Sequence, residues 1–246
     1  MNNVIAEGEK KLIEAMYQTI SEFFHFTDEE SRVLNVEYLL TVNVAKKLIE
    51  LNEGYPGPYR VYLEHPTKIL QADCLPIAIN GPMFSKSEMR IYDKYISRSG
   101  RVDVCVYKQD NVYKYPLFLV EVKGFNPRSG EIKKDIIRIS QFMNATCNTG
   151  ASLLKSSFFI SLYRYEKVYD DKAENKLLDK SEEKIKSIIE KIGIENIKYK
   201  ISVFPISIGR ASEEIINGYH EMGISERLTD DFTSHLFIGV IVYFYK

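Results

Sequence analysis

The chain has 246 residues, enough for one large domain or two small ones with an ample core. Hydrophobic and charged fractions of 45% and 27% are ordinary for a soluble globular protein, and no run of roughly 18 apolar residues offers a membrane span. A net charge of −1 excludes a globally basic nucleic-acid binder, so any such surface is a local patch or belongs to a partner.

Along the chain, residues 7–24 place Leu12, Met16, Ile20 and Phe23 or Phe24 at helical spacing. Thr27-Asp28-Glu29-Glu30 matches a capping box and opens a helix to about Leu51, stopped by Gly54-Tyr55-Pro56-Gly57-Pro58. Residues 59–64 alternate as a strand and end at Pro66. Residues 67–99 read as an insertion with a short helix near 86–95. Two apolar runs follow, 101–106 and 117–123, then a helix over 131–145 and a strand over 157–163. A helix over 181–192 closes at Gly193, and a strand over 197–208, a short helix over 212–221 and a strand over 236–245 complete the chain.

Cys74, Cys105 and Cys147 are odd in number with no CxxC spacing, as expected of reduced thiols in the cytoplasm. The first residues do not read as a signal peptide. Four scattered histidines argue against a zinc site of His and Cys. Walker A, GxGxxG and GxSxG motifs are absent, so NTPase, dinucleotide and serine-hydrolase chemistries lack their signatures.

Chemistry concentrates in the two runs after residue 100. Gly100-Arg101-Val102-Asp103-Val104-Cys105-Val106 puts an acid at the start of the first. Leu117-Phe118-Leu119-Val120-Glu121-Val122-Lys123 puts Glu-x-Lys at the end of the second. Charges among Val, Leu and Phe need partners. Two carboxylates with an ammonium close by suit a divalent cation and hydrolysis of a phosphodiester.

Asp103 alternates with Arg101, Cys105 and Tyr107, and Glu121 and Lys123 alternate with Leu117 and Leu119. The acids share a face only if odd positions lie opposite odd ones. A tight turn at Asp110-Asn111 would pair 103 with 118 and separate them. The site therefore requires a longer or bulged hairpin, and Pro116, which has no N–H to donate, suits an interrupted ladder.

Two helices contribute further candidates. Val33, Leu40, Val44, Leu48 and Leu51 form the stripe of the first, the face expected on the sheet. Glu37 falls within it and either reaches water from the stripe's edge or serves something inside. On the helix over 131–145, Ile132, Ile136, Ile139 and Met143 form the buried stripe. Lys134, Arg138 and Gln141 follow one another on another face, which either is solvated or, with Lys133, holds phosphates.

Asp103 with Glu121-Val122-Lys123, in strands followed by a helix, resembles the PD-(D/E)xK nuclease superfamily, the fold of many restriction endonucleases and resolvases. Val102 stands in place of the signature's proline, which members of that superfamily often lack. The order helix, strand, strand, strand, helix, strand over 28–163 is its core topology. The resemblance implies one α/β domain over 1–246, with a mixed central sheet flanked by helices. It divides into a restriction-endonuclease-like αβββαβ core at about 28–163, an insertion at about 67–99 and a C-terminal extension at about 165–246.

It also implies Mg²⁺ or Mn²⁺ held by Asp103, Glu121 and the carbonyl of Val122, with Lys123 acting on the water or the transition state. Beside two carboxylates Lys123 stays protonated, which favours the electrostatic role. Glu37 and Gln141 take accessory roles, and Lys133, Lys134 and Arg138 contact phosphates. The implied partner is DNA, with RNA the other polynucleotide the fold accepts. A homodimer would cut both strands, and the setting would be restriction, phage defence or repair. The alternative on the same fold is a non-catalytic or partner-activated binding or assembly subunit.

Overall fold

The computed structural model describes residues 2–26, 35–52, 57–76, 96, 99–109, 114–148, 150–165, 171–206 and 236–246. The described elements are α1 (Asn2–Phe26), α2 (Val36–Ile49), β1 (Tyr59–Pro66), α3 (Thr67–Asp73), β2 (Arg101–Gln109), β3 (Lys114–Phe125) and α4 (Ser129–Met143). After them come the two-residue strands β4 (Thr146–Cys147) and β5 (Gly150–Ala151), then β6 (Ser156–Tyr165), α5 (Asp171–Ile192), β7 (Lys198–Pro205) and β8 (Leu236–Tyr245).

Six strands form a mixed sheet in the order β1-β2-β3-β6-β8-β7. β3 and β6 are parallel, since the crossover through α4 brings the chain back to the starting edge. Every other neighbouring pair is antiparallel. The expected class, α/β with a mixed central sheet between helices, is what the chain adopts. Residues 165–246 do more than extend the core, because β8 lies directly beside β6 and carries β7 on its other side.

Each face of the sheet has its own core. Val104, Val106, Phe118, Val120 and Val122 meet Leu12 and Met16 of α1 and Leu40, Val44 and Leu48 of α2. Cys105, Tyr107 and Leu119 meet Ile132, Ile136 and Ile139 of α4 and Ile185 and Ile189 of α5. Cover on both faces is why the central strands read as unbroken apolar runs. Burying each such side chain contributes about 1.5–3 kcal/mol, so the stripe of α4 clamps that helix over the strands that carry the acids.

Local chemistry sets the helix ends. Asn35 caps α2, its Oδ1 accepting from Tyr38 N at 3.2 Å. The capping box at Thr27, Val33, the turn at 110–111 and the helices expected near 86–95 and 212–221 lie outside the described residues. Glu131 accepts from Arg128 N at 2.9 Å, which starts α4 two residues before the expected 131. α5 ends at Gly193, φ +67°, as expected. It starts ten residues earlier than its apolar spacing suggested, in a stretch with three Lys and two Leu, good helix formers, whose Leu177 and Leu178 pack against the core.

Candidate functional site

Whether the acids meet is decided by one irregularity. Near the connection β2 and β3 pair Gln109 with Lys114, Lys108 with Tyr115 and Tyr107 with Pro116. The register then shifts, and Val106 pairs with Phe118, Cys105 with Leu119 and Val104 with Val120. Leu117, beside the donor-less Pro116, is the extra residue of the bulge. The first register alone would set Asp103 level with Val120 and turn the acids to opposite faces. Continued one residue beyond Val104–Val120, the bulged register brings Asp103 level with Glu121, which meets Arg138 of α4.

Asp103 is fixed by the backbone N–H of Val122, which donates to its Oδ2 at 2.7 Å. Glu121 is fully buried, and its Oε1 has no hydrogen-bond partner among the described residues. Lys123 places Nζ 2.9 Å from Glu37 Oε1, 3.2 Å from Asp135 Oδ2 and 3.0 Å from the carbonyl of Val122, to which it donates. Arg138, 3% exposed, sets its guanidinium on Glu121 Oε2. It also lies 3.5 Å from Asp135 Oδ1 and donates to the carbonyl of Arg101 at 2.8 Å.

Among these six groups, four carboxylates (Glu37, Asp103, Glu121 and Asp135) gather around two cations, Lys123 and Arg138, an excess of two negative charges within the set when all are ionised. Burial is the main force raising the Asp103 carboxyl above its usual range. Burial, then the neighbouring Asp103, pushes the Glu121 carboxyl far higher. For Lys123, burial acts downward, but Asp135, Glu37 and Asp103 outweigh it and raise the amine, which stays an ammonium.

Glu37 belongs to the helix on the opposite face, and its side chain is 43% exposed at the edge of the α2 stripe. It reaches Lys123 around the end of β3, where Gly124 lets α2 close in. A Cβ at Gly124 would lie 3.0 Å from Glu37 N.

Arg138 departs from the sequence expectation. Instead of facing phosphates on an outer surface it turns inward, drawn by buried carboxylates on β3 and on its own helix. Lys133 and Lys134 are exposed, as phosphate contacts need. Gln141 is half-buried and lines a separate hollow of about 380 Å³ with Lys133, Ser140 and Lys191. Asp135 escaped notice although its position announced it: it falls between Ile132 and Ile136 on the buried stripe of α4, where a carboxylate is anomalous, as Glu37 is on α2.

A hollow of about 530 Å³ opens beside the cluster, lined by Glu37, Lys123, Gly124 and Arg128. Among the described residues no group of three or more His, Cys, Asp or Glu side chains has a metal-holding arrangement, and no helix is long and apolar enough to cross a membrane. Compared with known proteins, the chain matches no family model, no curated protein and no solved structure.

Proposed function

We propose that this chain is a divalent-cation-dependent nuclease that hydrolyses phosphodiester bonds in DNA, in the manner of the PD-(D/E)xK superfamily. The observation that carries it is the level placement of Asp103 and Glu121 on one buried face, with Lys123 beside them and Glu121 Oε1 left without a partner among the described residues. The core order α2, β1, β2, β3, α4, β6, interrupted by α3 and the short β4–β5 pair and with β3 and β6 parallel, adds support.

The donors fit such a cation. Asp103, Glu121 and the Val122 carbonyl are oxygen ligands, and Mg²⁺ needs only one or two carboxylates beside waters and phosphates. A doubly charged ion also balances the two-charge excess. When bound, it polarises the scissile phosphate and acidifies a water.

The chain's own groups do the rest. Glu37 and Asp135 hold the Lys123 ammonium at the edge of the hollow, where it offsets negative charge gathering on the phosphate. The attacking water gives a proton to solvent as its oxygen bonds to phosphorus, and the sugar oxygen leaves with the electron pair of the broken P–O bond and takes a proton from solvent. Exposed Lys133 and Lys134 hold flanking phosphates. One site cuts one strand, so duplex cleavage calls for two copies, and restriction, phage defence or repair in the cytoplasm would suit the activity.

A second reading, a non-catalytic subunit of the same fold, is favoured by Arg138, which neutralises Glu121 without a metal. The two separate in a cleavage assay on linear duplex, supercoiled and single-stranded DNA, and on RNA, with Mg²⁺ or Mn²⁺. Cleavage of DNA by the wild type, lost about 10²–10³-fold or more in Asp103→Asn and Lys123→Ala, is expected. DNA binding without cleavage, unchanged by either substitution, would favour the subunit.

A further inference from the structure

We propose that Arg138 is a built-in competitor for the cation: it holds Glu121 closed until a divalent ion displaces it, and Asp135 then retains it. This rests on the metal-dependent reading above and adds a gate to that site.

The contact is one that can be exchanged. A carboxylate and a guanidinium usually pair through two parallel bonds. Here only one nitrogen of Arg138 engages Glu121; a second donates to the carbonyl of Arg101, and Nε is buried without a partner among the described residues. Glu121 likewise keeps Oε1 unused. Both groups are inside the fold, yet each leaves pairing capacity unspent, a poor arrangement for a purely structural bridge.

A place for Arg138 to stay is already present. Asp135 Oδ1 lies 3.5 Å from the guanidinium, and the bond to Arg101 is independent of Glu121. Asp135 turns its other oxygen to Lys123, so one side chain bridges both cations of the cluster. With a divalent ion on Asp103 and Glu121, its two positive charges offset the excess of the six groups with Arg138 still in place. Arg138 need release only an oxygen and need not leave the interior. A resting protein therefore keeps Glu121 Oε2 masked, and cation concentration sets how many sites are open.

The test is Mn²⁺ binding by the full chain without nucleic acid, followed by electron paramagnetic resonance of the free ion. Arg138→Gln keeps a neutral donor near Glu121 and is expected to bind Mn²⁺ about tenfold more tightly than wild type, or better. Asp103→Asn should abolish the site in both backgrounds. Wild-type binding that Arg138→Gln leaves unchanged or weakens would overturn the gate while sparing the metal site. No Mn²⁺ bound by wild type or Arg138→Gln at millimolar concentration would sink the metal-dependent reading and the gate with it. Should Arg138→Gln fail to fold, the wild type decides. Its Arg138 Nε–H resonance is expected to shift as Mg²⁺ saturates, and an unmoved resonance during binding would overturn the proposal.

Discussion

Lys123 Nζ stands 2.9 Å from Glu37 Oε1, although Lys123 lies under α4 and Glu37 starts a helix packed on the other face of the sheet. The pair is made around the end of β3, and Gly124 is what permits the approach. A methyl group there would crowd the backbone N–H of Glu37, which cannot swing aside as a side chain could.

Gly124→Ala is therefore expected to destabilise the fold by about 1–3 kcal/mol, read as a lower thermal midpoint. Gly130→Ala is the control. That glycine lies in α4 with nothing within 4 Å of an added Cβ, so the change should be neutral or stabilise by up to about 1 kcal/mol. Equal losses in both variants would show that the approach of α2 to β3 is not what Gly124 serves.

The raised carboxyls of Asp103 and Glu121 give stability a pH dependence of definite sign. Their ordinary values are 3.8 and 4.5, and burial lifts both in the folded state. Above those values the folded chain holds protons that the unfolded chain has lost, so stability falls as pH climbs toward the raised values. His65 has the opposite sign: burial lowers it from 6.5, and its contribution is lost as pH falls. The difference between wild type and Glu121→Gln isolates the carboxyl. Unfolding of both from pH 4 to 8 should show wild type losing ground to the variant as pH rises, and saturating Mg²⁺ should flatten the trend. A difference independent of pH would mean that Glu121 titrates alike in the two states.

The sequence made the fold legible where one period dominated. The strands β2, β3, β6 and β8 follow from their apolar runs, and the stripe of α4 from the spacing of Ile132, Ile136 and Ile139. The need for a long or bulged hairpin was also legible, from parity alone, and Pro116 pointed to its place. Which residues pair could not be read, because register depends on a connection whose geometry spacing does not encode. Arg138 was misjudged for a related reason. A helical wheel puts it beside exposed Lys134, but a long side chain near buried carboxylates turns inward, and those carboxylates come from β3 and from Asp135. Long-range electrostatics of that kind has no period.

The role of Lys123 separates electrostatic help from proton abstraction. Its amine is raised, with Asp135, Glu37 and Asp103 outweighing burial, so at neutral pH it is an ammonium with no free pair to accept a proton. Arginine at this position keeps the charge and cannot deprotonate, whereas methionine keeps the length and loses the charge. Under the electrostatic role, Lys123→Arg should retain measurable metal-dependent cleavage while Lys123→Met falls by about 10²–10³-fold. Both should bind Mn²⁺, since Lys123 is not among its ligands, which separates lost chemistry from a lost site. If Lys123→Arg were as inactive as Lys123→Met while still binding Mn²⁺ and DNA, charge alone would not be what the position supplies, and the lysine would have to act through its proton.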